Sequence, residues 1–229
     1  MTVYSSIRGH LFALATLLFM VPGDARADLT LSQLVVDLRP GAQSEDIEIF
    51  NDSSERAYLA IEAAEILEPG TTNERRIAAT DPVASGILVT PARSVLEPGQ
   101  RKRLRIASLR VSEKERAFRI LVRPVSGDVE GGKIGLKLLV GYDVLVLVRP
   151  IIPKVELKAS RDSTGLRAEN KGNVSVELFG GQICVEDGQC SSLPGKRLYP
   201  GSVWSQQLNR PGIVTYRVSS PEGLRKLTF

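Results

Sequence analysis

Aromatic residues make up only 5% of this 229-residue chain, with one histidine, two cysteines and one tryptophan. A metal site with several nitrogen or sulfur ligands, or a catalytic triad built on histidine, has almost no raw material here. There is also no low-complexity tract, and the 20 Gly and 13 Pro are spread along the chain, which excludes collagen-like and coiled-coil rods and long disorder. What remains is an ordinary globular composition. With 42% hydrophobic residues, it suffices for one large domain or two small ones.

The first 27 residues differ from the rest. Arg8 and His10 precede an apolar run from Leu11 to Val21, followed by Pro22-Gly23 and then Ala25-Arg26-Ala27. Such a run is too short to span a bilayer, and Ala-x-Ala supplies the small residues that signal peptidase needs. A cleaved signal peptide over residues 1–27 is expected, with an uncleaved anchor as the rival reading. The longest later apolar stretch, Ile134 to Val148, is interrupted by Lys137, Gly141 and Asp143, so no membrane span is expected after cleavage. Cleavage removes Arg8, Arg26 and the sole histidine with them. Losing two basic residues and one acidic residue, Asp24, takes the formal net charge from +4 to +3.

That small excess does not point to nucleic acid. The one dense basic cluster, Arg101, Lys102, Arg103 and Arg105, is interleaved with Leu104 and Ile106, as in a strand with one solvated face. Cys184 and Cys190 flank Val-Glu-Asp-Gly-Gln. After export, two cysteines closing a hairpin through Asp187-Gly188 would pair as a disulfide; the alternative is two reduced core thiols.

Short runs rich in Val, Ile and Leu follow one another from Asp28, separated by the turn pairs Pro40-Gly41, Asn51-Asp52, Pro69-Gly70 and Pro98-Gly99. The pattern predicts an all-β protein, with Leu29 to Leu38 as the first strand, Ala57 to Leu67 as another whose Ala60 to Leu67 stretch alone has some helical character, and Ile134 to Val148 as a long strand. About eight strands suggest an immunoglobulin-like sandwich, with a closed barrel as competitor. Two prolines within Arg149-Pro150-Ile151-Ile152-Pro153-Lys154 then stop the long strand. The expected organisation is domain 1 over residues 28–149, a Pro-rich hinge over 150–154, and a smaller second β-sandwich over 155–229 with Trp204 in its core.

No catalytic constellation is present. Carboxylates and lysines are the only acid–base groups left after export, and no pair of them is placed to converge. Gly131-Gly132 and Gly180-Gly181 lack phosphate-loop spacing, and no serine sits in a Gly-x-Ser-x-Gly elbow. Neither an enzyme nor a cofactor or metal is expected.

Several segments, in order, resemble the periplasmic chaperones of chaperone-usher pilus assembly, the PapD-like class. They are Ile49-Phe50-Asn51-Asp52-Ser53; Leu88-Val89-Thr90-Pro91; Leu96-Glu97-Pro98-Gly99-Gln100 leading into Leu104-Arg105-Ile106; Glu115-Arg116-Ala117-Phe118-Arg119; and Val144 to Arg149-Pro150. In the second domain, Glu169-Asn170-Lys171-Gly172-Asn173, the two cysteines and Leu198-Tyr199-Pro200-Gly201 look most similar to the alternative, common-pilus type.

The resemblance implies a boomerang of two immunoglobulin-like domains that binds an unfinished pilin subunit by donor-strand complementation and passes it to an outer-membrane usher. Strand addition of this kind draws affinity from backbone hydrogen bonds and specificity from alternate side chains. The inserting positions fall on Ile134, Leu136, Leu138 and Val140, all of one parity, with Gly135 and Lys137 on the other. An ordinary core strand is the competing reading. The resemblance leaves open a dimer in which two free copies cap each other's donor strand. It also implies a basic pair anchoring the C-terminal carboxylate of the bound pilin, but those positions fall here on Val35 and Leu145. Arg149, Arg39, Arg119 and Arg123 are the substitutes, with Arg149 equally suited to holding the interdomain angle. The rival function is a structural pilus subunit or secreted adhesion module.

Overall fold

The computed structural model describes residues 29–125, 140–186 and 188–229. The expected signal peptide, Ile134, Leu136 and Leu138 of the expected donor strand, and Asp187 of the hairpin turn lie outside the described residues. The first part contains β1 (Leu29–Leu31), β2 (Val35–Leu38), β3 (Ser44–Asn51), β4 (Ala57–Leu67), β5 (Arg75–Ala78), α1 (Pro82–Ser85), β6 (Ile87–Thr90), β7 (Arg93–Leu96), β8 (Arg101–Ser108), β9 (Arg116–Pro124) and β10 (Tyr142–Val148). One sheet has the order β1-β3-β8-β6 and the other β2-β10-β9-β4-β5, with β7 also on β4. Their inner faces form one core that includes Ile47, Ile49, Leu104, Ile106, Phe118, Ile120, Val144 and Val146. Period-two alternation builds it: on β8 Leu104 and Ile106 point in, while Arg101, Arg103 and Arg105 stay exposed. Arg105 forms a two-pronged ion pair with Asp46 at 2.7 and 2.8 Å, so the basic cluster is the solvated face of a strand.

Two local expectations are corrected: the expected long strand to Val148 has its described part begin only at Tyr142, with Val140 and Gly141 outside it, and the first strand divides. The run Leu29 to Leu38 is two strands: β1 pairs antiparallel with β3, and β2 parallel with β10. The break falls after Ser32, whose N–H donates to the Glu48 carbonyl and whose hydroxyl accepts from the Glu48 N–H, both at 3.0 Å. Beyond it the chain changes sheet. The expected strand Ala57 to Leu67 is β4, with no helix in it: it is paired on both sides, by β9 and by β5 and β7, and tertiary pairing overrides the propensity of its Ala and Glu residues. The one helix among the described residues is α1. Asp81 caps it by accepting from the Val83 and Ala84 N–H groups, Pro82 opens it, and Gly86 ends it at φ 73°.

The second part contains β11 (Leu157–Arg161), β12 (Gly165–Asn170), β13 (Val176–Cys184), β14 (Cys190–Leu193), β15 (Lys196–Leu198), β16 (Val203–Gln207), β17 (Ile213–Ser220) and β18 (Gly223–Thr228). Sheets β11-β12-β16 and β14-β13-β17-β18, with β15 on β13, enclose a smaller core around Leu166, Val176, Leu178, Val214 and Tyr216. Trp204 packs against this core, edge-on to Tyr216 at 6.0 Å. Cys184 and Cys190 lie opposite each other in the β13–β14 pairing and form a disulfide. The fold is therefore two immunoglobulin-like β-sandwiches.

A buried asparagine marks the same corner in both. Asn51 donates to the carbonyls of Glu55 and Leu96 at 2.8 and 3.1 Å, and Asn170 to those of Val174 and Leu198 at 2.8 and 2.9 Å. The Gly99 N–H returns to the Asn51 carbonyl and the Gly201 N–H to the Asn170 carbonyl, each at 2.9 Å. Both glycines close a Leu-x-Pro-Gly turn.

Candidate functional site

Residues opposite one another on neighbouring strands share a face of the sheet. On the face of the β2-β10-β9-β4 sheet that points away from the core, Val35, Leu145, Arg119 and Ala64 form one row across the four strands. The next row holds Asp37, Leu147, Ala117 and Ile66. Tyr199, from the turn after β15, packs on Ile66, Ala117, Leu145 and Leu147. The outer face of the first sandwich and one corner of the second thus form a shared apolar floor. Val35 and Leu145, the positions to which the resemblance assigns a basic pair, are directly paired, with Val35 46% exposed.

Near this floor, side chains of the two sandwiches bond to each other. Arg149 pairs with Asp37 through Nε at 2.7 Å and Nη2 at 3.2 Å, and its Nη1 donates to Glu115 and to the Ser175 hydroxyl. The Ser175 N–H donates to the same Glu115 oxygen at 2.8 Å. The Arg149 and Glu115 side chains are 6% and 0% exposed, so the guanidinium is committed to partners on both sandwiches. Asn173 adds a second tie, donating to the carbonyls of Glu113 and Ile152 at 2.9 and 3.0 Å. Gly172 lets the turn after β12 approach the segment before β11, since a Cβ there would sit 2.2 Å from the Lys154 carbonyl oxygen.

The other basic candidates do not converge. Arg39 is exposed beyond the end of β2. Arg123 is held by Glu62 at 2.7 Å. Arg119 is half-buried, donates to the Asp143 carbonyl at 3.3 Å, and has no carboxylate partner among the described residues. Nearby Asp143 is engaged instead by Arg76 at 2.8 Å. Burial raises the Tyr199 phenol above its ordinary pKa, against the opposing pull of Arg197 and Arg119. Val140, the one described member of the expected donor series, is 55% exposed. Sequence reasoning missed Asp37, Ser175 and Tyr199. For Tyr199 a signal existed in the Leu-Tyr-Pro-Gly turn, but its partners are distant in sequence.

Comparison with solved structures decides the fold's affinity. The class 5 fimbrial chaperone CfaA superposes with a TM-score of 0.66 at 22% identity, over 87% of this chain and 98% of that one. The fold is that of the fimbrial periplasmic chaperones. The Escherichia coli chaperone DraB matches with a TM-score of 0.62 at 19% identity, over 88% and 96% of the two chains. A complex of the Salmonella enterica SafA pilin with the SafB chaperone matches at 0.63 and 15% identity, over 89% and 96%. No protein-family model matches. Two curated Escherichia coli relatives are similar in sequence. The B subunit of CS1 fimbriae is 25% identical over 219 residues, 90% of this chain and 91% of the relative. The A subunit of CFA/I fimbriae is 26% identical over 228 residues, 94% of each. Among the described residues, no helix is long and apolar enough to cross a membrane.

Proposed function

We propose that the chain is a periplasmic chaperone of fimbrial assembly, which binds unfinished pilin subunits by lending them a strand and delivers them to an outer-membrane usher. The observation that carries this reading is the parity of β10. Tyr142, Val144, Val146 and Val148 all pack on or in the first core, and Val140 continues the same parity yet is exposed. The apolar parity of β10 thus continues, by sequence, past the start of that strand at Tyr142. By sequence, Ile134, Leu136 and Leu138 extend the series, so these four positions are assigned to insertion into the open groove of the pilin. A pilin lacking a strand has unpaired backbone groups along that groove, and a lent strand satisfies them.

In this reading residues 1–27 are removed on export, residues 28–149 carry the donor strand, and 150–154 form the hinge to 155–229. Arg149 holds the hinge, and Arg119 is the best placed substitute for the missing basic pair. No catalysis, cofactor or metal is assigned. The names of the curated relatives favour a second reading, a structural component of the fimbria. Against it stand two closed sandwiches, where a structural pilin would be one incomplete sandwich with an N-terminal donor extension.

The test is periplasmic co-expression with a fimbrial pilin from the same genome. A soluble one-to-one complex is expected. Pilin that aggregates regardless of this protein, or this protein itself recovered in the fibre, overturns the reading.

A further inference from the structure

On the first sandwich, the basic strand is answered by acids on its neighbour. Arg105 of β8 lies opposite Asp46 of β3 and bonds to it, while Arg101 reaches Glu48 at 3.5 Å and Arg103 reaches Asp46 at 3.8 Å. The second sandwich has no such balance. On the face of its larger sheet that points away from the core, Arg217 of β17 lies directly opposite Lys226 of β18, and neither has an ion-pair partner among the described residues. Like charges in that position repel and destabilise a sheet. Glu177, the one carboxylate on the strands of this sheet, is taken by Arg197. Residues 155–229 carry ten basic and seven acidic side chains, whereas residues 28–154 carry eighteen of each, so the positive excess belongs to the second sandwich.

Arg217 is nevertheless held in place. Its guanidinium carbon lies 4.7 Å from the centre of the ring of Phe179, its neighbour across on β13. The β13–β17 pairing is irregular between Phe179 and Gln182, as at a bulge. There Gly180 has φ 56°, and a Cβ on it would sit 2.9 Å from Nη2 and 3.0 Å from Nε of Arg217. Gly181 clears the Tyr216 ring on the core side in the same way. The Gly180-Gly181 pair, which fits no phosphate loop, thus makes a bed for an arginine that faces a second cation. A local conflict of this kind, built into an otherwise consistent sheet, marks a binding role.

We infer that the outer face of β13, β17 and β18 is a docking surface for an acidic segment of a partner polypeptide, centred on the row Phe179, Arg217 and Lys226. Charge complementarity selects the occupant: two neighbouring carboxylates turn the repulsion between Arg217 and Lys226 into two ion pairs. The surroundings suit a polypeptide. Gln182, Thr215 and Thr228 form an adjacent row, with amide and hydroxyl groups for a backbone, and Leu224, 64% exposed, offers one apolar contact. That is too little apolar surface to enter a bilayer. None of these residues belongs to the hinge or to the β10 series, so the inference stands apart from the chaperone reading.

The experiment uses the full mature protein, isotope-labelled for amide resonances and titrated at low salt with acetyl-hexaglutamate amide and with acetyl-hexaglutamine amide. Amides around Arg217 and Lys226 are expected to shift with the acidic peptide and not with the neutral one, and the shifts to fade at high salt. Arg217→Gln should weaken the acidic peptide about tenfold, the size of one hydrogen bond to a charged group. Lys226→Glu separates docking from folding. It gives Arg217 a partner, so it should raise the melting temperature while abolishing the response. Arg101→Gln, on the first sandwich, should leave the titration unchanged. A response centred on β3 and β8, a Lys226→Glu variant that binds as the wild type does, or one that melts below it, overturns the inference. Phosphatidylglycerol vesicles that bind through Arg217 and Lys226, with no response to the acidic peptide, overturn it as well and make the face a membrane contact.

Discussion

Arg149 and Glu115 form an ion pair buried between the two sandwiches, with Asp37 on one side of the guanidinium and Ser175 on the other. Removing one member of such a pair leaves an uncompensated buried charge, at a cost of about 3–5 kcal/mol. Arg149→Ala should lower the melting temperature and loosen the interdomain angle, seen as a larger radius of gyration in small-angle scattering. Arg149→Ala combined with Glu115→Gln should recover part of the stability. A single variant with wild-type melting and scattering would remove Arg149 from the hinge.

The donor series gives a register test. If the chaperone reading holds, Leu136→Asp or Leu138→Asp would push a carboxylate into the groove of the pilin, where burial without a partner costs several kcal/mol, of the order of a hundredfold or more in capture. Lys137→Asp has the opposite parity and should leave capture nearly unchanged. Periplasmic pilin yield and the melting temperature of each variant are the measurements. Leucine variants that unfold the protein itself would make these residues ordinary core.

Reduction of the Cys184–Cys190 bridge, or Cys184→Ser, should destabilise the second sandwich by about 2 kcal/mol, as expected for so short a loop. The bridge joins two strands of that sandwich alone. Hydrogen exchange should therefore quicken in β13 and β17 while β3 and β8 keep their protection. Equal protection with and without reductant would deny the bridge a stabilising role.

Alkaline unfolding should begin in the same sandwich. Burial pushes the Tyr216 phenol up to about 12 from an ordinary value of 10, and its hydroxyl donates to the Pro194 carbonyl at 3.0 Å. With the folded value raised, its contribution is complete below pH 10 and is lost as pH rises from 10 to 12. A denaturant titration at several pH values, with Tyr216→Phe as reference, should show a steeper loss for the wild type across that window. Parallel curves would refute it.

Strand identity was legible wherever one face is buried and the other solvated, as on β3 and β8, because period two is written directly in the residues. The sheet change within Leu29 to Leu38 was not, since both halves are apolar and only the pairing of Ser32 with Glu48 marks the break. At the candidate site, the sequence pointed to Arg149 and to the parity of Ile134 to Val140. It could not reveal which carboxylates surround Arg149, because Asp37 and Glu115 reach it from strands far apart in the chain. Tyr199 was hidden for the same reason. Its burial depends on Ile66, Ala117, Leu145 and Leu147, residues that only the folded sheet brings side by side.

The matching asparagine corners make Glu97 and Tyr199 counterparts, each the second residue of a Leu-x-Pro-Gly turn pinned to its asparagine. In the first sandwich that position is a solvated acid paired with Arg56 at 2.9 Å; in the second it is the aromatic ring docked on the neighbouring sheet. Two copies of one architectural unit thus differ at one outward-facing position in whether they meet water or each other. The turn is the same in both, and the residue it displays decides whether it faces water or the other sandwich.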